Sequence, residues 1–257
     1  EEEFKFRDPA ALKRVSDDRQ RELQFQKYVQ FVFDQQWRSV KQYANAWGIR
    51  VIGDMPIFVA HDSADSWARP ELFQFDTELR PSALAGVPPD SFSSTGQLWG
   101  NPLYRWDAHR RENFAWWNGV FRSKLSKFDY LRVDHFRGFS AYWRVPFGDR
   151  TAENGQWVAA PGHELFDRLF SSFPAMPILA EDLGVITDDV VELIEYCGFP
   201  RMKVLQFGFE SPETNQYLPH TYEKHSIAYT GTHDNDTVRG WFERASDAVR
   251  SFALAYL

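Results

Sequence analysis

Between Ser16 and Trp47, apolar residues return at three- and four-residue steps. Phe25, Val29, Val32, Phe33, Trp37, Val40, Ala44 and Trp47 share one stripe, which predicts a long amphipathic helix ended by Gly48. The pattern then changes to short apolar runs, the signature of buried strands. Such runs cover Arg50–Asp54 (continuing through Val59), Tyr130–Asp134, Ile178–Glu181, Lys203–Gly208 and Ser226–Thr230. Helical spacing returns between them at Arg111–Lys127, Leu165–Phe173 and Asp188–Tyr196, with Thr187 as the expected N-cap of the last. Another helix begins at Asp247. Strands alternating with helices predict an α/β fold with a parallel sheet.

The stretch from Asp54 to Tyr130 is far too long for a plain strand–helix–strand crossover. An insertion over 55–129 is therefore expected, including a Gly/Pro/Ser-rich loop from Ala85 to Pro102. Three of the runs finish in acids: Asp134, Glu181 and, just beyond Thr230, Asp234. Functional groups at the C-terminal ends of strands favour a (β/α)8 barrel over a doubly wound sheet. Five strands cannot close such a barrel, so the expectation is one catalytic barrel piece over 1–257, belonging to a longer protein.

Composition narrows the chemistry. A net charge of −7 with interspersed signs argues against nucleic acid and anionic membrane surfaces. No apolar run reaches the length of a membrane span, and Glu1-Glu2-Glu3 does not open a signal peptide. The single cysteine, Cys197, fits a reducing compartment and reads as a packed residue. The chain lacks HExxH, paired-Cys, GxGxxG, P-loop and GxSxG patterns, and His61–Asp65 lacks EF-hand spacing. Ten Trp, 10 Tyr and 23 Phe suit either a large core or sugar stacking.

The acids read as a sugar-cleaving set. Alternation along a strand puts Arg132 and Asp134 on one side, where a cation holds a carboxylate ionised, as a nucleophile requires. A structural Arg–Asp pair is the competing explanation. Glu181 follows Ile178, Leu179 and Ala180; apolar surroundings raise a carboxyl pKa and suit a general acid. The competing explanation there is an acid at a helix N-terminus, a role that fits Asp182 better. His233 and Asp234 are placed to grip sugar hydroxyls, Asp236-Thr237 to cap the next helix, and Asp54 to organise His135 or Arg132.

Six segments carry a specific likeness: Gly53–Val59, Gly86–Asp90, Gly96–Tyr104, Arg132–Gly138, Ala180–Gly184 and Thr230–Thr237. In this order they closely resemble the 4-α-glucanotransferases (amylomaltases, or disproportionating enzymes) of glycoside hydrolase family 77. The resemblance spans Trp37 to Trp241. It implies a (β/α)8 barrel of the α-amylase type and a retaining double displacement on α-1,4-glucans, without cofactor or metal. It makes Asp134 the nucleophile, Glu181 the acid/base and Asp234 the transition-state stabiliser. Arg132, His135, His233, Asp54 and Asp90 are its supporting and substrate-binding residues. Trp99 and Asn101 would lie close to bound glucan, beside a flexible Val87–Trp99 loop. An α-glucan hydrolase using the same acids is the alternative. The implied location is the cytoplasm, or a plastid for a plant protein.

Overall fold

The computed structural model describes residues 2–90, 93–209 and 216–257. The helices are α1 (Glu2–Lys5), α2 (Pro9–Asp18), α3 (Gln20–Ala46), α4 (Ala64–Ala68), α5 (Trp106–Arg111), α6 (Ala115–Lys127), α7 (Gly162–Ser172), α8 (Asp188–Cys197), α9 (Val238–Arg244) and α10 (Asp247–Tyr256). The strands are β1 (Ile52–Pro56), β2 (Ala83–Val87), β3 (Gln97–Pro102), β4 (Tyr130–Asp134), β5 (Ala141–Pro146), β6 (Gln156–Ala159), β7 (Ile178–Ala180), β8 (Arg201–Val204) and β9 (Ser226–Tyr229).

The five expected strands are present and parallel. They form two ladders, β1-β4-β7 and β8-β9. Where the ladders adjoin, the Ala180 N–H donates to Pro200 O at 3.1 Å. Asp182 clamps the same junction, accepting from Arg201 Nε at 2.6 Å and from the Met202 N–H at 2.9 Å. Among the described residues the strands do not close into a barrel. The expected strand at Lys203–Gly208 begins earlier and is shorter. After Val204 the chain turns into a 3-10 segment, Leu205–Phe209, where Gly208 lies so close to the Tyr217 carbonyl that a Cβ would meet it at 2.8 Å.

One face of the β1-β4-β7 sheet is covered by helices. Leu131, Val133, Ile178 and Ala180 are buried against Trp117 and Phe121 of α6, Phe166 and Leu169 of α7, and Val190 and Leu193 of α8. Alternation sends Asp54, Arg132 and Asp134 to the other face. Gly53 is required by packing: a Cβ there would meet the Phe128 ring at 2.2 Å.

The helix expected from Ser16 to Trp47 is divided at Arg19, whose φ of −114° and ψ of 28° are not helical. Only one side of α3 docks. Trp37 meets Phe128 edge-on and its indole N–H donates to Lys127 O, while Lys41 and Asn45 hold Asp129. The apolar stripe is otherwise uncovered among the described residues, with Phe25, Phe33 and Trp47 exposed. The helix expected at Arg111–Lys127 is α6, which starts later, at Ala115; Arg111 closes α5, and Asn113 and Phe114, both at φ of 54°, lie between the two.

The reading of Ala85–Pro102 as loop needs correction. It contains most of β2 and all of β3, which join β5 and β6 in an antiparallel sheet of order β3-β2-β5-β6. Ser91 and Phe92, within the expected Val87–Trp99 loop, lie outside the described residues. Tyr104 Oη donates to Ile57 O at 2.6 Å and Asn101 Nδ2 to Val59 O at 2.9 Å, tying this sheet to the exit of β1.

Candidate active site

The register of the parallel strands assembles the acids. Asp54 lies opposite Arg132 on β1 and β4, and Val133 lies opposite Ala180 on β4 and β7. The Glu181 N–H continues the ladder to Val133 O at 3.1 Å. Asp134 and Glu181 are thus the next paired positions, at the C-terminal ends of adjacent strands. Backbones of adjacent strands lie about 4.8 Å apart, so the two acids leave neighbouring strand ends.

Arg132 is nearly buried and divides its guanidinium between two acids. Nη1 reaches both oxygens of Asp54, at 2.8 and 2.9 Å, and Nη2 reaches Asp134 Oδ1 at 2.7 Å. The expectation that the cation holds Asp134 low is corrected in its balance. Partial burial is the largest influence on the Asp134 pKa, and together with the charges of Asp54 and Asp234 it raises that pKa against the lowering by Arg132. Arg132 opposes the penalty of gathering three acids without abolishing it.

Glu181 is only 8 % exposed, and burial pushes its carboxyl up to about 7. The charge on Asp134 adds to the rise. Two backbone donors pull the other way: the Leu183 N–H meets Oε1 at 2.7 Å and the His135 N–H meets Oε2 at 2.6 Å. The second contact depends on an uncommon backbone, because His135 sits in the left-handed region at φ 52°. That turn aims its N–H across the strand end. The carboxyl is fixed in place yet stays close to half-protonated near neutrality.

Beside Glu181 lies a cleft of about 210 Å³ whose walls include Asp90, Trp99, His135, Arg137 and Trp157. Trp99 stands edge-on to the His135 ring, centroids 4.8 Å apart. His135 Nε2 is buried without a hydrogen-bond partner among the described residues, and burial lowers the imidazole pKa to about 4, keeping the ring neutral. Asp90 accepts from the Ser93 N–H at 2.8 Å.

The remaining expected residues are placed less tightly. His233 and Asp234 are mutually 3.4 Å apart and 68 % exposed; among the described residues the electrostatic effect of Asp234 on Asp134 links them to the acids. Asn101 does not line the cleft; its amide secures the β1 exit. Thr237 caps α9 as expected, accepting from the Gly240 N–H. Thr187 occupies the N-cap position of α8, but its hydroxyl accepts from Arg137 instead. Cys197 is buried, with its thiol pushed up to about 12, which leaves no reactive thiolate.

Sequence reasoning missed Arg137, Trp157 and Phe207, which line the cleft, and Tyr229, whose phenol feels Arg132 and Asp54. Trp157 had a findable signal. Ala141–Pro146 and Gln156–Ala159 are short runs rich in aromatic and β-branched residues, separated by Gly148, Asp149, Asn154 and Gly155.

A family model described as 4-alpha-glucanotransferase matches residues 1–257. The chain is 48 % identical over 257 residues to the 4-alpha-glucanotransferase of Aquifex aeolicus, covering 100 % of this chain and 53 % of that protein. It is 50 % identical over 253 residues to the Thermus thermophilus 4-alpha-glucanotransferase, covering 98 % and 51 %. The solved amylomaltase of Streptococcus agalactiae in complex with acarbose superposes with a TM-score of 0.96 at 42 % identity, over 100 % of this chain and 52 % of that one. The chain therefore spans about half the length of the curated relatives it matches.

Proposed function

Because the chain belongs to the 4-alpha-glucanotransferase family, we propose that it carries the reacting carboxylates of an enzyme that transfers α-1,4-glucan segments to the 4-hydroxyl of an acceptor glucan. One observation supports this above the others. A nearly buried glutamic acid with a pKa of about 7 follows directly in register beside an arginine-paired aspartate. That pairing supplies a proton donor and a nucleophile at neighbouring strand ends.

In this reading the five parallel strands are a sector of a (β/α)8 barrel of the α-amylase type. Residues 1–257 are its catalytic portion, and 55–129 carries an inserted substrate-loop region. Asp134 attacks the anomeric carbon while Glu181 gives its proton to the departing glycosidic oxygen. A β-glucosyl ester forms on Asp134. Glu181, now ionised, takes the proton from the acceptor 4-hydroxyl, and the α bond is remade as the ester breaks. Asp234 stabilises the oxocarbenium-like transition state, and Asp54 and Arg132 hold the nucleophile. His135, His233, Asp90 and Trp99 contact the glucan, and Asn101 lies close to it, holding the β1 exit. Starch, glycogen or maltooligosaccharide chains are the proposed partners. The single cysteine agrees with a cytoplasmic setting, or a plastid for a plant protein.

Incubating the intact protein with maltotriose tests the reading. A ladder of longer glucans plus glucose is expected. Glucose and maltose alone would mean hydrolysis instead. Asp134→Asn should abolish both outcomes while leaving glucan binding in place.

A further inference from the structure

We propose that Trp157, braced by Arg137, is a sugar-stacking platform on the acceptor side of the cleft and sets how the glycosyl ester divides between acceptor and water. The inference rests on the transferase reading above and adds a residue to it. Trp157 lies on β6, more than 20 residues from both Asp134 and Glu181, yet its indole forms part of the wall that Glu181 also lines. It is 39 % exposed, which leaves ring surface available to a ligand.

The indole is held by two independent contacts. The Arg137 guanidinium lies 3.8 Å from the ring centroid. Its Nη1 donates to Val185 O, and its Nη2 donates to Thr187 Oγ1 at 3.3 Å, so the stack is anchored to the loop that follows Glu181. Trp143, directly opposite on β5, meets the ring edge-on at 5.2 Å. Trp143 is itself fixed by its indole N–H to Ala152 O at 2.8 Å and by Gly155, where a Cβ would strike it. A flat ring set this rigidly has already lost the freedom that binding would otherwise cost it.

The side of the bond follows from which acid the cleft touches. A general acid reaches the glycosidic oxygen, at the junction with the leaving group, whereas the nucleophile sits beneath the donor sugar. The cleft is lined by Glu181, and Asp134 is not among its lining residues. It therefore follows the leaving-group side, which an acceptor re-enters. There the acceptor O4–H passes its proton to the Glu181 carboxylate as the O4–C1 bond forms and the C1–O bond to Asp134 breaks. Water makes the same attack when no acceptor is seated.

The test uses the intact protein with maltotriose as donor and glucose or maltose as varied acceptor. Trp157→Leu should raise the acceptor KM about tenfold, the value of one stacking contact. It should also raise the share of hydrolysis, and the donor KM should rise with the acceptor KM because the leaving sugar rests on the same ring. Trp157→Phe keeps a flat face and should recover most of the transfer. Unchanged acceptor KM and product partition in a folded Trp157→Leu protein would overturn the inference. Hydroxyl-radical footprinting of the wild-type protein needs no variant: saturating maltooligosaccharide should protect the Trp157 peptide from oxidation, and equal oxidation with and without it would also overturn the inference. A wild-type protein that makes no longer glucans from maltotriose would refute the transferase reading instead.

Discussion

At the residue scale, the site is a contest between burial and hydrogen bonding at Glu181. Burial favours the proton, while the His135 and Leu183 N–H groups favour its loss. The balance at about 7 sets a pH dependence for the proposed reaction. Ester formation needs Glu181 protonated, so kcat/KM should fall as pH rises through about 7. It needs Asp134 ionised, so an acidic limb should be shifted upward from the ordinary aspartate value. A kcat/KM profile with no basic limb near neutrality would contradict the burial argument. The same two donors make Glu181→Gln more than a deletion of the proton. One amide NH2 would face a backbone N–H, at a cost on the order of 1–3 kcal/mol. A denaturant melt near pH 4, below the ordinary glutamate value, where the penalty on a buried charge at Glu181 drops out, should show that loss; equal stability there would mean the two N–H contacts do not constrain the side chain. The acids themselves were legible because charges at the ends of apolar strands need a reason. The backbone donors were not, because the left-handed turn at His135 is invisible in side-chain pattern.

At the scale of elements, the parallel strands and their helices follow from periodicity, and the antiparallel sheet does not. β2 and β3 hide in a Gly- and Pro-rich stretch; Gly86 lies so close to Gln97 O that a Cβ would meet it at 2.3 Å. Residues chosen for close backbone approach look, in sequence, like residues chosen for a loop. Gly53 shows the same demand in β1. Gly53→Ala should destabilise the chain by roughly 1–3 kcal/mol, because Phe128 is trapped between β1 and Trp37. Gly119→Ala in α6 meets nothing within 4 Å and should stabilise by about 0.5–1 kcal/mol through helix propensity alone. Thermal melts of the two variants should move in opposite directions, and a shared direction would refute the packing account.

At the scale of the whole molecule, α3 stands out. Periodicity located its apolar stripe correctly, but pattern cannot say what an apolar stripe will touch. Phe25, Tyr28, Phe31, Phe33, Tyr43 and Trp47 are all more than half exposed. Surface of that kind favours association. The 257-residue chain should therefore self-associate with rising concentration in sedimentation velocity, and replacing Phe25 and Phe31 by Ser should weaken that association. A strictly monomeric wild-type chain would contradict this. The cleft, by contrast, is shared between two sheets of different kinds. The proposed catalytic pair, Asp134 and Glu181, belongs to the parallel strands, while Trp99 and Trp157 belong to the antiparallel sheet docked on them. On the proposed function, chemistry and grip are therefore separable inheritances: a graft that reshapes the antiparallel hairpins should alter which sugars are held, while the two acids stay where they are.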